Sequence, residues 1–339
     1  MPELTTAALM GWAFVTLFTA GTTALIVSYI RIRQPDPRKR RLLDVADKPE
    51  LKELREKAMA AVHGIGRRID LKEAERLLRS AYAKGDHLAG MHLWDLLTFP
   101  PSRAIGEELD AIFEACIRPV IELMDAGHPE ASYLYCAVSN EELLDEAAVH
   151  WQSEALRAAC KAGYVPALLH RGWLEEGEWE SSAKQVEAMQ WFSLAMEQGA
   201  ARALTGMGAI LCNPKHPEYD PQWGLAMLQQ ASAQGDLHAM HILAVYLLDP
   251  DLGEPQPAMA RQQLQQAARQ DDYWAYVHLA GMLTDGLGGP VDSPGARRLL
   301  RRAMEFPEAT AARNRLAELD DSQVKKSSVG EAPSAGAEG

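Results

Sequence analysis

Residues 191–211 read WFSLAMEQGAARALTGMGAIL, an apolar stretch rich in Ala and Gly. It lacks the alternation of a strand, and it has too few charges for a helix that is exposed to water on most sides. The tripeptide Glu197–Gly199 interrupts it once. We interpret the stretch as two helices that meet at Gly199 and pack closely against neighbouring helices, because small side chains let helix backbones approach one another.

The same small residues recur with a period of 36 residues, which is lengthened to 42 between the first two copies. Four residues after Gly199 is Ala203, and the corresponding residues of the other copies are Ala89, Ala131, Ala167, Ala239, Ala275 and Ala311. The anchor position itself holds Gly85, Gly127, Gly163, Gly199, Gly235, Asp271 and Pro307. Four residues before it stand Ala81, Leu123, Ala159, Ala195, Ala231, Ala267 and Ala303. A period of this length indicates stacked supersecondary units.

Each copy reads as helix, turn, helix and loop. The segment before the anchor has good helix formers and helical spacing, and Gly suits the left-handed residue that ends a helix. Loops rich in Pro, Gly and Asp follow the second helix, as in DGLGGPVDSPG at 285–295. The sequence therefore predicts an all-α chain of about seven 36-residue helix–turn–helix repeats over 51–319, in which 51–81 forms a capping hairpin.

The pattern A-x-x-x-G-x-x-x-A-x-x-x-L-G/A resembles the Sel-one-like repeat, a relative of the tetratricopeptide repeat. The match is best over 268–303 and covers about 71–319, with degenerate copies near Gly85 and Gly127, where Trp94 replaces a small residue. The resemblance implies an α-solenoid that binds other proteins and often scaffolds signalling or envelope complexes. It also implies a bacterial source and does not imply catalysis.

The N-terminal region predicts a membrane anchor. Residues 5–30 carry no charge and exceed the roughly 20 apolar residues that cross a bilayer. We predict a single transmembrane helix within 1–30, although a buried helix or a cleaved signal peptide would share this composition. Six basic residues follow it and place the repeats in the cytoplasm of a bacterial inner-membrane protein, with a periplasmic location as the alternative. Those that would meet anionic headgroups are Arg31, Arg33, Arg38, Lys39, Arg40 and Arg41.

Charge and cysteine content narrow the classes of partner. The 339-residue chain has a net charge of −13, and without residues 1–41 about −17, so nucleic acid is not an expected partner.

Residues 31–50 are predicted as a basic linker and 320–339 as a disordered tail. The four cysteines share no repeat phase and are predicted as free thiols, with a Cys136–Cys160 bridge as the alternative.

No motif supports an enzyme, and we predict no catalytic residue, cofactor or metal. The GLGG at 286–289 lacks the Lys-Ser/Thr of a phosphate-binding loop and follows no strand, so it is interpreted as a tight turn. His238 and His241 lie three residues apart on a helix, but no third ligand is in phase with them. His92, His170 and His278 share one repeat position, which is interpreted as structural.

The tetratricopeptide resemblance implies that the helix after the anchor lines a concave groove. Positions 3, 6 and 10 after the anchor would then face a partner, either in that groove or, alternatively, along an edge or the convex face. These positions include Asp95 and Val245, and the candidate groove residues are Glu130, Tyr133, Trp173, Arg202, Thr205, His238, His241 and Trp274. Aromatic residues and Arg are typical of binding hot spots. The predicted function is a membrane-anchored interaction scaffold or adaptor, or alternatively an envelope-facing assembly factor for cell-wall or polysaccharide export.

Overall fold

A computed structural model describes residues 39–98, 106–138, 146–176, 181–306 and 309–330. Over these ranges the regular structure consists of 16 α-helices, one 3-10 helix at Pro250–Leu252 and an isolated bridge. The all-α prediction is confirmed for this part of the chain. In order, the α-helices are α1 Lys39–Ala46, α2 Pro49–His63, α3 Leu71–Tyr82, α4 His87–Thr98, α5 Gly106–Asp125, α6 Pro129–Val138, α7 Glu146–Lys161, α8 Val165–Glu176, α9 Ser182–Glu197, α10 Ala203–Leu211, α11 Pro221–Ala233, α12 Leu237–Tyr246, α13 Pro257–Ala268, α14 Tyr273–Asp285, α15 Ser293–Ala303 and α16 Thr310–Gly330.

The chain divides into two compact units. Of the described residues, those up to Ala239 form the first unit and those from Met240 onwards form the second unit. From α3 onwards each odd-numbered helix precedes an anchor position and is called an A helix here, and each even-numbered helix is its B helix. In the first unit α4 packs on α6, α6 on α8 and α8 on α10, so the B helices form a continuous layer.

Every described anchor residue adopts the left-handed conformation. The φ angles are 85° at Gly85, 84° at Gly127, 73° at Gly163, 84° at Gly199 and 96° at Gly235. Asp271 takes the same role with φ 63° and is the one non-glycine residue with positive φ in the described ranges. In all six turns the amide after the anchor donates to the carbonyl four residues before the anchor, at 3.0–3.4 Å. This is the Schellman arrangement that ends a helix.

Small residues of the opening stretch are required by close packing. A Cβ atom at Gly206 would overlap the buried ring of Phe192, and one at Gly172 would lie 2.6 Å from that ring. A Cβ at Gly208 would lie 2.8 Å from the carbonyl oxygen of Gly224. The repeat phase is therefore a packing phase. All six Ala residues four positions before the anchors are fully buried, and so are the first six of the seven Ala residues four positions after them.

The last copy departs from the predicted phase. Ala311 is only partly buried, whereas Ala309, Ala312 and Leu319 are buried. The anchor position holds Pro307, which lies outside the described residues, and α16 begins at Thr310. The inward face of α16 follows helical spacing from Ala309, so it is displaced by one residue from the 36-residue series.

Both ends of the repeat region also differ from the prediction. The predicted linker 31–50 contains helix α1 and the start of α2, and Pro49 occupies the first turn of α2, where a missing amide hydrogen costs nothing. The hairpin predicted over 51–81 exists as α2 and α3, but α3 is also the A helix of the first repeat. The predicted disordered tail begins inside α16, which extends to Gly330.

The predicted transmembrane segment 5–30 lies outside the described residues. Among the helices that the structure does describe, none has the length and apolar character needed to span a bilayer.

We predict that Gly206→Ala destabilises the protein by about 1–3 kcal/mol through overpacking against Phe192, although Ala is the better helix former. Thermal melting of the full-length chain, followed by circular dichroism, measures this as a lower Tm. Gly106→Ala is the matched control in the same unit, because no atom lies within 4 Å of its added Cβ. Equal Tm values for the two variants would contradict the packing interpretation.

Candidate functional site

A recurring contact joins successive repeats through their B helices. The residue six positions after one anchor meets the residue directly after the next anchor, 31 residues later. Thr205 Oγ1 donates to Asp236 Oδ2 at 2.6 Å, and His241 Nε2 lies 2.8 Å from Asp272 Oδ1. The same aspartates accept hydrogen bonds from amides of the B helix that they precede, as Asp236 does from His238 at 3.0 Å. One carboxylate thus caps the B helix that follows it and also contacts the B helix of the preceding repeat.

Because of this contact, the side chains six positions after the anchors are less exposed than the groove prediction requires. Tyr133 and Thr205, which were predicted to face a groove, are buried, and His241 is 18% exposed. Tyr133 packs against Tyr164, 31 residues later, with ring centroids 5.6 Å apart. The prediction that these positions present a free surface is wrong for Tyr133 and Thr205, because the adjacent repeat covers both side chains.

A buried polar cluster occupies the inner side of the first repeats. The Arg55 side chain of α2 pairs with Asp86, lies 3.1 Å from Glu130 and donates to the carbonyl oxygen of Ala46 at 2.7 Å. Arg55 and Asp86 are again 31 residues apart, so α2 supplies to the first repeat the contact that a preceding B helix would supply. The predicted groove residue Glu130 therefore serves an internal ion-pair network.

Glu130 is held ionised within this network. Its Oε1 lies 2.9 Å from His92 Nε2, which in turn lies 3.1 Å from the hydroxyl of Tyr164. Burial opposes ionisation of Glu130, but the hydrogen bond from His92 and the charges of His92, Arg55 and His128 outweigh burial and lower its pKa to about 2. Burial also raises the pKa of Tyr133 and Tyr164 well above their ordinary value.

The α2–α3 loop, residues 64–70, closes over distant turns of the same unit. The Arg202 amide donates to the carbonyl oxygen of His63 at 3.2 Å, and an isolated bridge joins Ile65 to Ala200. The Ile69 amide donates to the carbonyl oxygen of Gln234 at 2.9 Å. These contacts connect residues more than 100 positions apart, so the loop occupies part of the surface that the B helices of an open solenoid would offer.

Arg202 is partly exposed and lies beside this closure. Burial, together with the charges of Arg202 and His92, lowers the pKa of His63 well below its usual range. Burial raises the pKa of Asp95 against the opposing charges of His92 and Arg202. Arg202, one of the candidate groove residues, thus lies near the buried titratable residues His63 and Asp95.

Two predicted residues do meet at the surface of the first unit. Trp173 is partly exposed and His238 is exposed, and their rings are 4.9 Å apart. Phe192 supports Trp173 from within at 5.2 Å between ring centroids. The predicted positions 10 and 3 therefore come together on the B helices, two repeats apart in sequence.

The second unit carries its own aromatic cluster. The rings of His241 and His278 lie 6.2 Å apart, and those of Trp274 and His278 lie 6.0 Å apart. All three side chains are partly exposed. Burial, and then the charge of His241, lower the pKa of His278 to about 4, so this ring is neutral near pH 7. The repeat position of His278 suggested a structural role. Its spacing of one helical turn from Trp274 was the signal that could have placed the two side chains on the same face of α14.

The remaining sequence predictions concern metal, thiols and the glycine-rich loop. Within the described ranges, no group of three His, Cys, Asp or Glu side chains is arranged to hold a metal ion. The four cysteines are free, and burial raises their pKa to about 12 for Cys116, Cys136 and Cys212 and about 11 for Cys160. The turn interpretation of GLGG agrees with the left-handed Gly286 and Gly288, with φ of 70° and 72°.

Comparisons with known proteins reveal similarity only among solved structures. No model of a known protein family and no curated protein matches the chain. The chain is similar to a Sel1 repeat protein from Oxalobacter formigenes, with 20% identity and a TM-score of 0.46 over 92% of this chain and 93% of that chain. A protective antigen of uropathogenic Escherichia coli with an SLR fold gives 17% identity and a TM-score of 0.47 over 86% and 62%. Immunity protein PA5088 from Pseudomonas aeruginosa gives 15% identity and a TM-score of 0.40 over 66% and 82%.

We predict that Glu130→Gln lowers the stability of the folded chain by about 3 kcal/mol at pH 7, because buried Arg55 loses a charged partner. The folded-state pKa of Glu130 is depressed, so its contribution is complete above about pH 4.5 and is lost as the pH falls towards about 2. The Tm difference between variant and wild type should therefore shrink over that range.

Glu53→Gln is the matched control for this measurement, since Glu53 forms an exposed pair with Lys57 on the same helix as Arg55. Its Tm should follow that of the wild type at every pH. A Glu130→Gln variant that also melts with the wild type at pH 7 would show that the buried network contributes nothing to stability.

Proposed function

We propose that the chain is a scaffold or adaptor that binds partner proteins through the B helices of its second unit. The observation that carries this proposal is the partly exposed cluster of His241, Trp274 and His278. In the first unit, by contrast, Tyr133 and Thr205 at the sixth positions are buried, and the α2–α3 loop covers part of the B-helix layer. A surface with Trp at its centre and the neutral imidazole of His278 beside it suits a peptide with apolar side chains.

The exposed face of α14 supports such a binding surface. Trp274, Val277, His278 and Gly281 are partly exposed and lie at helical spacing along one side. A Cβ at Gly281 would lie 3.4 Å from the guanidinium of Arg315, so this cation borders the small residue. A backbone can approach closely at Gly281, while Trp274 and Arg315 offer the residue types that dominate hot spots.

We further propose that residues 5–30 anchor the chain in a bacterial inner membrane, with the basic residues 31–41 at the cytoplasmic headgroups. The support is the length of the uncharged stretch and the charge that follows it. The alternative is an envelope-facing assembly factor with the repeats in the periplasm. A reporter fluorescent only in the cytoplasm, fused after Gly339, should fluoresce, and an alkaline phosphatase fusion there should be inactive; the reverse pair of results would favour the alternative.

We predict that Trp274→Ala, in the full-length chain, depletes the main protein crosslinked to it in membranes by at least about tenfold. Loss of a hot-spot Trp costs about 2 kcal/mol or more of binding free energy, and 1.4 kcal/mol corresponds to a factor of ten. Quantitative mass spectrometry of crosslinked pull-downs, compared with wild type, measures the loss.

Leu287→Ala serves as the control, because Leu287 is an exposed apolar residue of the same unit in the loop after α14. Its pull-down should match the wild type. Recovery of the partner at wild-type yield by the Trp274→Ala variant, with unchanged Tm, would exclude the second-unit cluster as the binding surface.

A further inference from the structure

Exposed apolar side chains of the first unit are concentrated in one place. Within its described residues, the large hydrophobic side chains with high exposure are all contained in 186–223, on or next to α9 and α11. They are Val186, Leu194, Met196, Tyr219 and Trp223, and the Trp223 side chain is 57% exposed. Single exposed apolar residues are ordinary, but several within one short stretch of the chain are typical of an interaction surface. The surface formed by α9, α11 and the segment between α10 and α11 is called the α9–α11 face here.

The same face is depleted of charge. No charged residue occurs in 188–196 or in 221–235, although charged residues make up 24% of the chain. Two other A helices are dense in charge, since α3 carries five charged residues and α15 four arginines. Gln190, Gln222, Gln229 and Gln230 supply the polar groups instead, and all four are exposed. Loss of charge with enrichment in aromatic residues and Met is typical of the buried centre of protein interfaces.

A pocket opens within this face. It has a volume of about 420 Å³ and is lined by Val186, Met189, Gln190, Ser193, Leu194, His216 and Glu218. The buried His216 ring accepts a hydrogen bond from the Glu218 amide at Nδ1, at 3.1 Å. Its neutral ring therefore carries the proton on Nε2, which has no hydrogen-bond partner among the described residues. The pocket thus combines an apolar lining with the carboxylate of Glu218, while the His216 Nε2 atom beside it is buried.

We propose that this face binds a second copy of the chain, with Trp223 of one protomer seated in the α9 pocket of its partner. A two-fold interface requires one surface that carries both a projection and its complement, and the face offers both, in Trp223 and the pocket. The pocket can enclose a Trp side chain, and Glu218 can accept a hydrogen bond from the indole N–H. This interface is independent of the partner surface proposed for the second unit.

Charge supports a second copy as the occupant. Each copy carries a net charge of −13, so most faces of two copies would place like charges opposite one another. The α9–α11 face largely avoids this repulsion, because the central segments of both helices are uncharged. A strongly basic partner would gain little here, since Glu218 is the one carboxylate among the residues that line the pocket.

Crosslinking of the full-length chain in membranes tests the proposal. Gln190→Cys and Ala226→Cys place single reactive thiols on the face, since the four native thiols are buried with raised pKa values. A short bismaleimide should give a product of twice 37.3 kDa for these variants. Arg76→Cys, exposed on the charged face of α3, is the control and should give no such product.

Adding Trp223→Glu to either cysteine variant should reduce the doubled product at least tenfold, whereas adding Leu287→Glu should leave it unchanged. Co-precipitation of two differently tagged full-length copies from mild detergent provides a second measurement that needs no introduced cysteine. It should succeed for wild type and fail for Trp223→Glu.

Two outcomes would overturn the proposal: absence of both the doubled product and co-precipitation, or a crosslinked product of another mass, which would show that a different protein occupies the face. Neither outcome would affect the Trp274 pull-down, so failure of this interface and failure of the proposed function are distinguishable.

Discussion

A single backbone constraint underlies the architecture: one left-handed residue between the two helices of each repeat. Five glycines and Asp271 adopt φ between 63° and 96°, and in each case the next amide bonds back to the carbonyl four residues before the anchor. Because the turn geometry is the same each time, the B helix leaves every A helix in the same direction. The buried Ala positions before and after the anchor, and the glycines around Phe192, then follow from the close helix approach that this turn imposes.

The contact between the sixth position and the next capping residue forms in both units, but the two units differ in the surface that they leave available. In the first unit this contact buries Thr205 and Tyr133, while α2 extends the series backwards through Arg55 and Asp86. The α2–α3 loop then bonds to the turns at Ala200–Arg202 and Gln234, which removes further surface. In the second unit His241, Trp274 and His278 stay partly exposed. We therefore propose partner binding for the second unit and self-association for the α9–α11 face of the first.

The sequence contained enough information for the repeat but only part of the site. Anchors such as Gly199 and the buried Ala series were visible because one residue type recurs at one spacing. The burial of Thr205 was not predicted, since its partner Asp236 belongs to the next repeat and the 31-residue offset matches no helical period. The closure by Ile65 and Ile69 was equally hidden, because backbone hydrogen bonds over more than 100 residues leave no compositional signal. In the last copy, Pro307 removed the anchor that had fixed the phase.

The central structural claim is that the α2–α3 loop closes the B-helix layer of the first unit, and amide hydrogen exchange at residue resolution tests it most directly. In the full-length chain the Ile69 and Arg202 amides donate to Gln234 and His63, so both should be protected. The exposed residues 66–68 of the same loop provide the internal reference and should exchange rapidly. Exchange of Ile69 and Arg202 as fast as that of residues 66–68 would contradict the closure and return the first unit to an open binding groove.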